Sequence, residues 1–179
     1  MTIEAEFLKV ITARFQNVKK LGDDTIHQLS EEDVQWQLNE VSNSVAIIVK
    51  HLSGNMISRW TNFLTTDGEK PDRNRDQEFV NTISSLNEVN TLWEQGWATV
   101  FNTLHSLRPE DLMKTITIRG EMHSVIDAIE RQLAHYSYHI GQIVYISKQL
   151  KGMDWASISI PVGKSEEYLK EMLNKHKSI

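Results

Sequence analysis

Residues that break regular structure are scarce in this chain, and that scarcity limits the fold more than any motif. Only 8 glycines and 3 prolines are spread over 179 residues. Between them, apolar side chains return every three to four positions, the period of one face of an α-helix. A sandwich or barrel of short strands needs turn signals roughly every 8–12 residues, which this chain does not supply. The pattern predicts an all-α fold.

Ile3, Phe7, Val10, Ile11, Phe15 and Val18 predict a first helix over 3–22, with Gly22 as its stop. Residues 23–43 read as a mostly irregular connection with one capped turn at Ser30-Glu31-Glu32-Asp33, where Asp33 holds the capping-box position. A second helix is expected over 44–65, capped from Ser42, Asn43 or Ser44 and striped by Val45, Ile48, Leu52, Met56 and Trp60. A third is expected over 76–106, with Phe79, Leu92, Trp93, Trp97 and Phe101 among its core candidates. Lys114 to Arg119 alternates polar and apolar residues, which predicts a short extended segment ending at Gly120. A fourth helix follows over 123–151, closed by Lys148, Lys151 and Gly152. After an irregular stretch at 153–163, a short amphipathic helix over 165–176 starts on Ser165. Four helices of this length predict a four-helix bundle, built as a single domain over 1–179.

Charge and composition narrow the function. The formal net charge is −5, and no basic run exceeds Lys19-Lys20, so neither a nucleic acid nor an anionic membrane is an expected partner. The chain has no cysteine, which rules out disulfides, thiolate metal ligands and a protein thiol nucleophile. Thr2, Glu4 and Glu6 follow Met1, so no signal peptide is expected. The longest apolar run, Val45 to Val49, falls far short of the ~20 residues of a membrane span. A soluble, cytoplasmic protein is the expectation.

The chemistry-bearing residues are histidines, of which there are seven. His135 and His139 are four apart in the predicted fourth helix, so both rings lie on one face and can share a metal ion. A third ligand must come from a facing helix, and His51, beside the apolar stripe of the second, is the best placed. A polar ring beside a core seam needs a partner, since burying it unpaired costs roughly 1–3 kcal/mol. A metal satisfies that need, and so does a local hydrogen bond; spacing alone leaves both open. His27, His105, His123 and His176 read as structural or surface residues. Tyr136 stands where the general base of an H-E-x-x-H protease would be, so that reading fails. Paired Glu-x-x-His motifs for a di-iron site, a complete P-loop and G-x-S-x-G are also missing.

A lone histidine in the second helix with His-x-x-x-His in the fourth resembles the DinB/YfiT-like superfamily of metalloenzymes. The likeness is strongest in HSVIDAIERQLAHYSYHIGQIVY, from His123 to Tyr145, and in SIPVGKS, from Ser159 to Ser165, which are similar to an uncharacterised bacterial subgroup. The resemblance implies a three-histidine site at His51, His135 and His139 for a divalent transition metal, zinc or nickel. It also implies kinship with thiol-dependent transferases and a mycothiol-dependent isomerase, and a homodimer. Independently, helix bundles with aromatic-rich faces often associate, and Trp60, Trp93 and Trp97 are the expected contributors to such a contact. The expected activity is thiol transfer to a small electrophile, with a low-molecular-weight thiol as cosubstrate because the chain has no cysteine. Metal-dependent hydrolysis and a non-catalytic, stress-related metal-binding role are the alternatives. Glu130, Asp127 and Gln142 are the candidates for orienting the ligand rings.

Overall fold

Hydroxyl side chains start the helices. Thr2, Ser30, Ser44, Ser85 and Ser124 each accept a hydrogen bond from the backbone N–H three residues on, at 3.1–3.2 Å. Each thereby satisfies one of the amide groups that a helix leaves unpaired at its beginning. In the computed structural model, which describes residues 2–176, the resulting helices are α1 (Ile3–Ile26), α2 (Glu31–Gln35), α3 (Val45–Trp60), α4 (Leu86–Ser106), α5 (Val125–Lys151) and α6 (Ser165–His176). One antiparallel hairpin, β1 (Thr115–Ile118) and β2 (Glu121–Ser124), turns through Arg119 and Gly120, both with positive φ. The protein is predominantly helical. Among the described residues, no helix is long and apolar enough to cross a membrane.

Several expected boundaries move. Gly22 does not stop α1, which continues to Ile26. It is instead a point of close approach, because a Cβ there would overlap the Trp93 ring. The helix expected over 44–65 ends at Trp60, and Asn62 turns the chain away with a φ of 50°. The helix expected over 76–106 is a single 3₁₀ turn at Asp76–Phe79, an extended stretch, and then α4 from Leu86. His123 does not open the last long helix; it lies in β2, paired with Ile116 of β1, and α5 begins at Val125 after the Ser124 cap. The capping box at Ser30 and Asp33 and the final helix from Ser165 are as expected.

The four long helices share one core. α3 packs on α4 and α5, and α1 on α5 and α4. The centre of that core is aromatic. Phe15 of α1 meets Trp60 of α3, Trp97 of α4 and Tyr136 of α5 edge-on, with ring centroids 5.6, 6.5 and 6.0 Å away. Edge-to-face contacts place the positive ring edge against the negative face and add to the gain from burial. Trp60, Trp93 and Trp97 are all spent here, buried in the monomer's own interior, and are not available to an intermolecular face. α6 buries no residue.

Candidate metal centre

The half-turn of loop after α3 is held rigidly, and it decides what happens around His51. Asp67 accepts hydrogen bonds from the backbone N–H groups of Glu69, Arg119 and Gly120 at 2.7–2.9 Å, which tie the loop to the hairpin turn. Gly68 N–H donates to Thr117 O at 2.8 Å, and Arg59 donates to Gly68 O. Further on, Lys50 Nζ donates to Gln77 O, Val80 O and Thr82 Oγ1 at 2.7–2.8 Å. The segment between these anchors carries Glu78 back against α3, where it is buried. Gly54, three residues beyond His51 on the same helix face, makes room: a Cβ there would overlap Glu78 Oε1 and lie 2.8 Å from Cδ.

Glu78 has two partners. Arg73 grips it with Nε on Oε1 at 2.7 Å and Nη2 on Oε2 at 2.9 Å. His51 Nδ1 lies 2.9 Å from Oε2. Burial raises the carboxyl's affinity for a proton, but the hydrogen bonds from His51 and Arg73 outweigh it and hold Glu78 below the usual carboxylate range. An ionised carboxylate only accepts. In the neutral form that binds metal, the proton of His51 therefore sits on Nδ1, and Nε2 presents a lone pair.

The same logic applies on α5. His139 Nδ1 donates to Gln142 Oε1 at 2.8 Å, which leaves the lone pair on its Nε2 as well. Between these two, His135 Nε2 lies 3.3 Å from His51 Nε2 and 3.1 Å from His139 Nε2. Among the described residues, these three histidines form the cluster whose ligand atoms all lie within 4.8 Å of one another. Burial pushes the His135 imidazole down to about 3, helped by the neighbouring His139 and His51 rings and by the Arg59 and Arg73 cations. Burial also lowers His139, against the pull of Gln142. Both rings are neutral at pH 7, the form that binds metal.

Hydrogen bonding alone does not satisfy this arrangement. A neutral His135 has one N–H, so it serves at most one of two neighbouring lone pairs, and the other nitrogen is left against a lone pair. A cation between the rings satisfies all three. With metal–nitrogen bonds of 2.0–2.1 Å in tetrahedral geometry, adjacent ligand nitrogens stand about 3.3 Å apart, close to the two separations that meet at His135. The residues fit a divalent transition ion.

The sequence-based assignments divide clearly. His51, His135 and His139 come together, with His51 buried and the other two half-buried. Of the three candidate orienting residues, Gln142 holds His139. Asp127 binds His123 at 2.5 Å and reaches no ligand, and Glu130 is exposed. Glu78 was missed because it lies 27 residues from His51 across a loop, where helical spacing carries no information. Tyr136 faces away from the site into the core, accepting from Trp60 Nε1 at 2.9 Å and donating to Asn55 Oδ1 at 3.2 Å. His105 stacks on Phe101 in the last turn of α4, and His27 caps α1.

The histidines open into a cavity of about 380 Å³, with Phe79 and Tyr138 at its sides. A larger groove of about 620 Å³ lies elsewhere, between the segment around Trp36 to Asn43 and α5; its lining has no carboxylate, histidine or arginine. The chemistry belongs to the smaller cavity. No curated protein of known function matches the chain. The sequence model of a family described as a protein of unknown function, DUF1572, matches residues 2–164, and the chain belongs to that family.

Proposed function

We propose that His51, His135 and His139 hold one divalent transition metal, zinc or nickel, on a four-helix bundle of the DinB/YfiT-like kind, and that the chain is a metal-dependent enzyme transferring a small thiol to an electrophile. The observation that carries the metal reading is the convergence of three Nε2 atoms whose lone pairs cannot satisfy one another. An ion held by three neutral imidazoles keeps an open position and activates a bound thiol or water as a nucleophile at neutral pH.

The chain's own residues do the rest. Glu78 and Gln142 fix the tautomers and the ring directions of His51 and His139. Phe79 stacks on His51 with centroids 4.7 Å apart and keeps that side of the ring dry. Thiol transfer is favoured over hydrolysis because Glu78, the buried carboxylate beside the site, is occupied by His51 and Arg73 and is not free as a general base. The thiol must be a cosubstrate, since the chain has no cysteine.

Two measurements test this reading. Elemental analysis of protein purified without a polyhistidine tag is expected to give about one transition-metal ion per chain. Thiol consumption with a model electrophile is expected in the native protein and not in His135→Ala. Stoichiometric metal with equal thiol consumption in both proteins would leave a non-catalytic metal-binding role; absence of metal would end the proposal.

A further inference from the structure

The chain has seven arginines, and five of them line the cavity above the three histidines: Arg59, Arg73, Arg75, Arg119 and Arg131. Among the described residues, no lysine and no carboxylate does. In a protein of net charge −5, this concentration of cations runs against the overall balance. It is also chemically selective, because guanidinium offers a planar fork of donors that matches an oxyanion, which an ammonium does not.

Three of the five are committed to the scaffold. Arg59, Arg73 and Arg119 all bind Glu69, and Arg73 also grips Glu78. The other two are not. Arg75 is exposed, lies over the Phe79 ring at 5.0 Å, and has no ion-pair partner within 4.0 Å among the described residues. Phe79 itself stacks on His51, so Arg75 lines the same cavity one ring away from the histidine centre. Arg131 reaches only an exposed Glu121 at 4.0 Å and a ring nitrogen of His123 at 3.3 Å. On the cavity wall, Gln132 is 97% buried, and its Oε1 has no hydrogen-bond partner among the described residues. A buried acceptor left unpaired is costly, and a ligand N–H or O–H would satisfy it.

We infer that the cavity takes a small molecule with an oxyanion group, a carboxylate, phosphate or sulfonate, which Arg75 and Arg131 bind at the cavity mouth while a donor on the same molecule meets Gln132. This deepens the metal-enzyme reading and rests on it for the role of the bound molecule, but not for the anion selectivity itself. The two cations stand at the rim, where a ligand displaces water without breaking a buried ion pair. Behind them Arg59, Arg73 and Arg119 outnumber Glu69 and Glu78 by one charge, so the wall favours an anion over a neutral molecule of the same shape.

The test uses the full chain loaded with cobalt(II), whose visible spectrum reports both occupancy and thiolate binding. 3-Mercaptopropane-1-sulfonate is titrated against 3-mercapto-1-propanol, which offers the same sulfur without the charge. Sulfonate is a poor metal ligand, so its preference reports the protein. The anionic thiol is expected to bind at least about 10-fold tighter, in the range of a charge-assisted guanidinium contact. In the double variant R75Q/R131Q, the preference is expected to fall below about 3-fold with cobalt occupancy retained, and R75K/R131K, which keeps the charges, is expected to recover part of it. A native preference below about 3-fold, or one unchanged in R75Q/R131Q, overturns the inference. If cobalt does not bind, the metal reading fails separately, and the anion site is then judged on metal-free protein by calorimetry with inorganic sulfate: binding weakened several-fold in R75Q/R131Q supports it, and equal or absent binding overturns it.

Discussion

His135 and Tyr136 are adjacent in the sequence and face two regions with opposite rules. Tyr136 enters the aromatic core, where its hydroxyl closes a chain from Trp60 Nε1 to Asn55 Oδ1 at the cavity's inner edge. His135 enters a cavity with two other imidazoles, five arginines and the unpaired oxygen of Gln132. One residue of α-helix is a rotation of about 100°, enough to send neighbours to different environments. The core pairs most of its polar atoms internally, with Ser53 Oγ and Trp97 Nε1 as exceptions among the described residues. In the cavity, three imidazole nitrogens converge and Gln132 Oε1 has no partner among the described residues. Open valences in a region otherwise built to satisfy them mark where a ligand completes the structure.

Four variants probe whether the two regions are independent. The largest effect on stability is expected from Phe15→Ala, which removes the ring that Trp60, Trp97 and Tyr136 surround. It should cost about 3–5 kcal/mol in chemical denaturation, without changing the metal content of the folded protein. Loss of metal by a still-folded Phe15→Ala would break the separation. His135→Ala should do the reverse. Metal affinity is expected to fall by more than about 100-fold, beyond the effect of an outer partner, while the metal-free protein keeps its denaturation midpoint.

Glu78→Gln sharpens the comparison, since it keeps the shape and removes the charge that fixes His51. A loss of about 10–100-fold in metal affinity is expected by competition with a chromophoric chelator. An unchanged affinity would reduce Glu78 to a partner of Arg73. The smallest effect is expected from Tyr136→Phe, about 1 kcal/mol of stability from the lost hydrogen bonds, with metal affinity unchanged. A shift in metal affinity there would show that the two regions communicate through α5.

Much of the helical framework was legible because it rests on interactions within four residues. The caps at Ser30 and Ser44, the stripe along α3 and the His135–His139 pair all follow from helical period and backbone bonding. The extents that failed did so where a distant contact overrode a local signal. Gly22 reads as a stop yet serves Trp93, 71 positions away, and the β2 strand exists because Glu121 to Ser124 pairs with a partner that its own composition does not announce.

The sequence by itself determined that the chain is helical, that its candidate ligands are imidazoles and that it carries no thiol of its own, since these depend on residue identity and short-range periodicity. The tertiary structure decided that His51 meets a pair 84 residues later, that Glu78 returns over Gly54 to orient it, and that five scattered arginines share one wall. Those meetings depend on the path of a loop and the crossing of helices, and a chain's local preferences do not encode where two distant segments will touch until the whole core has packed.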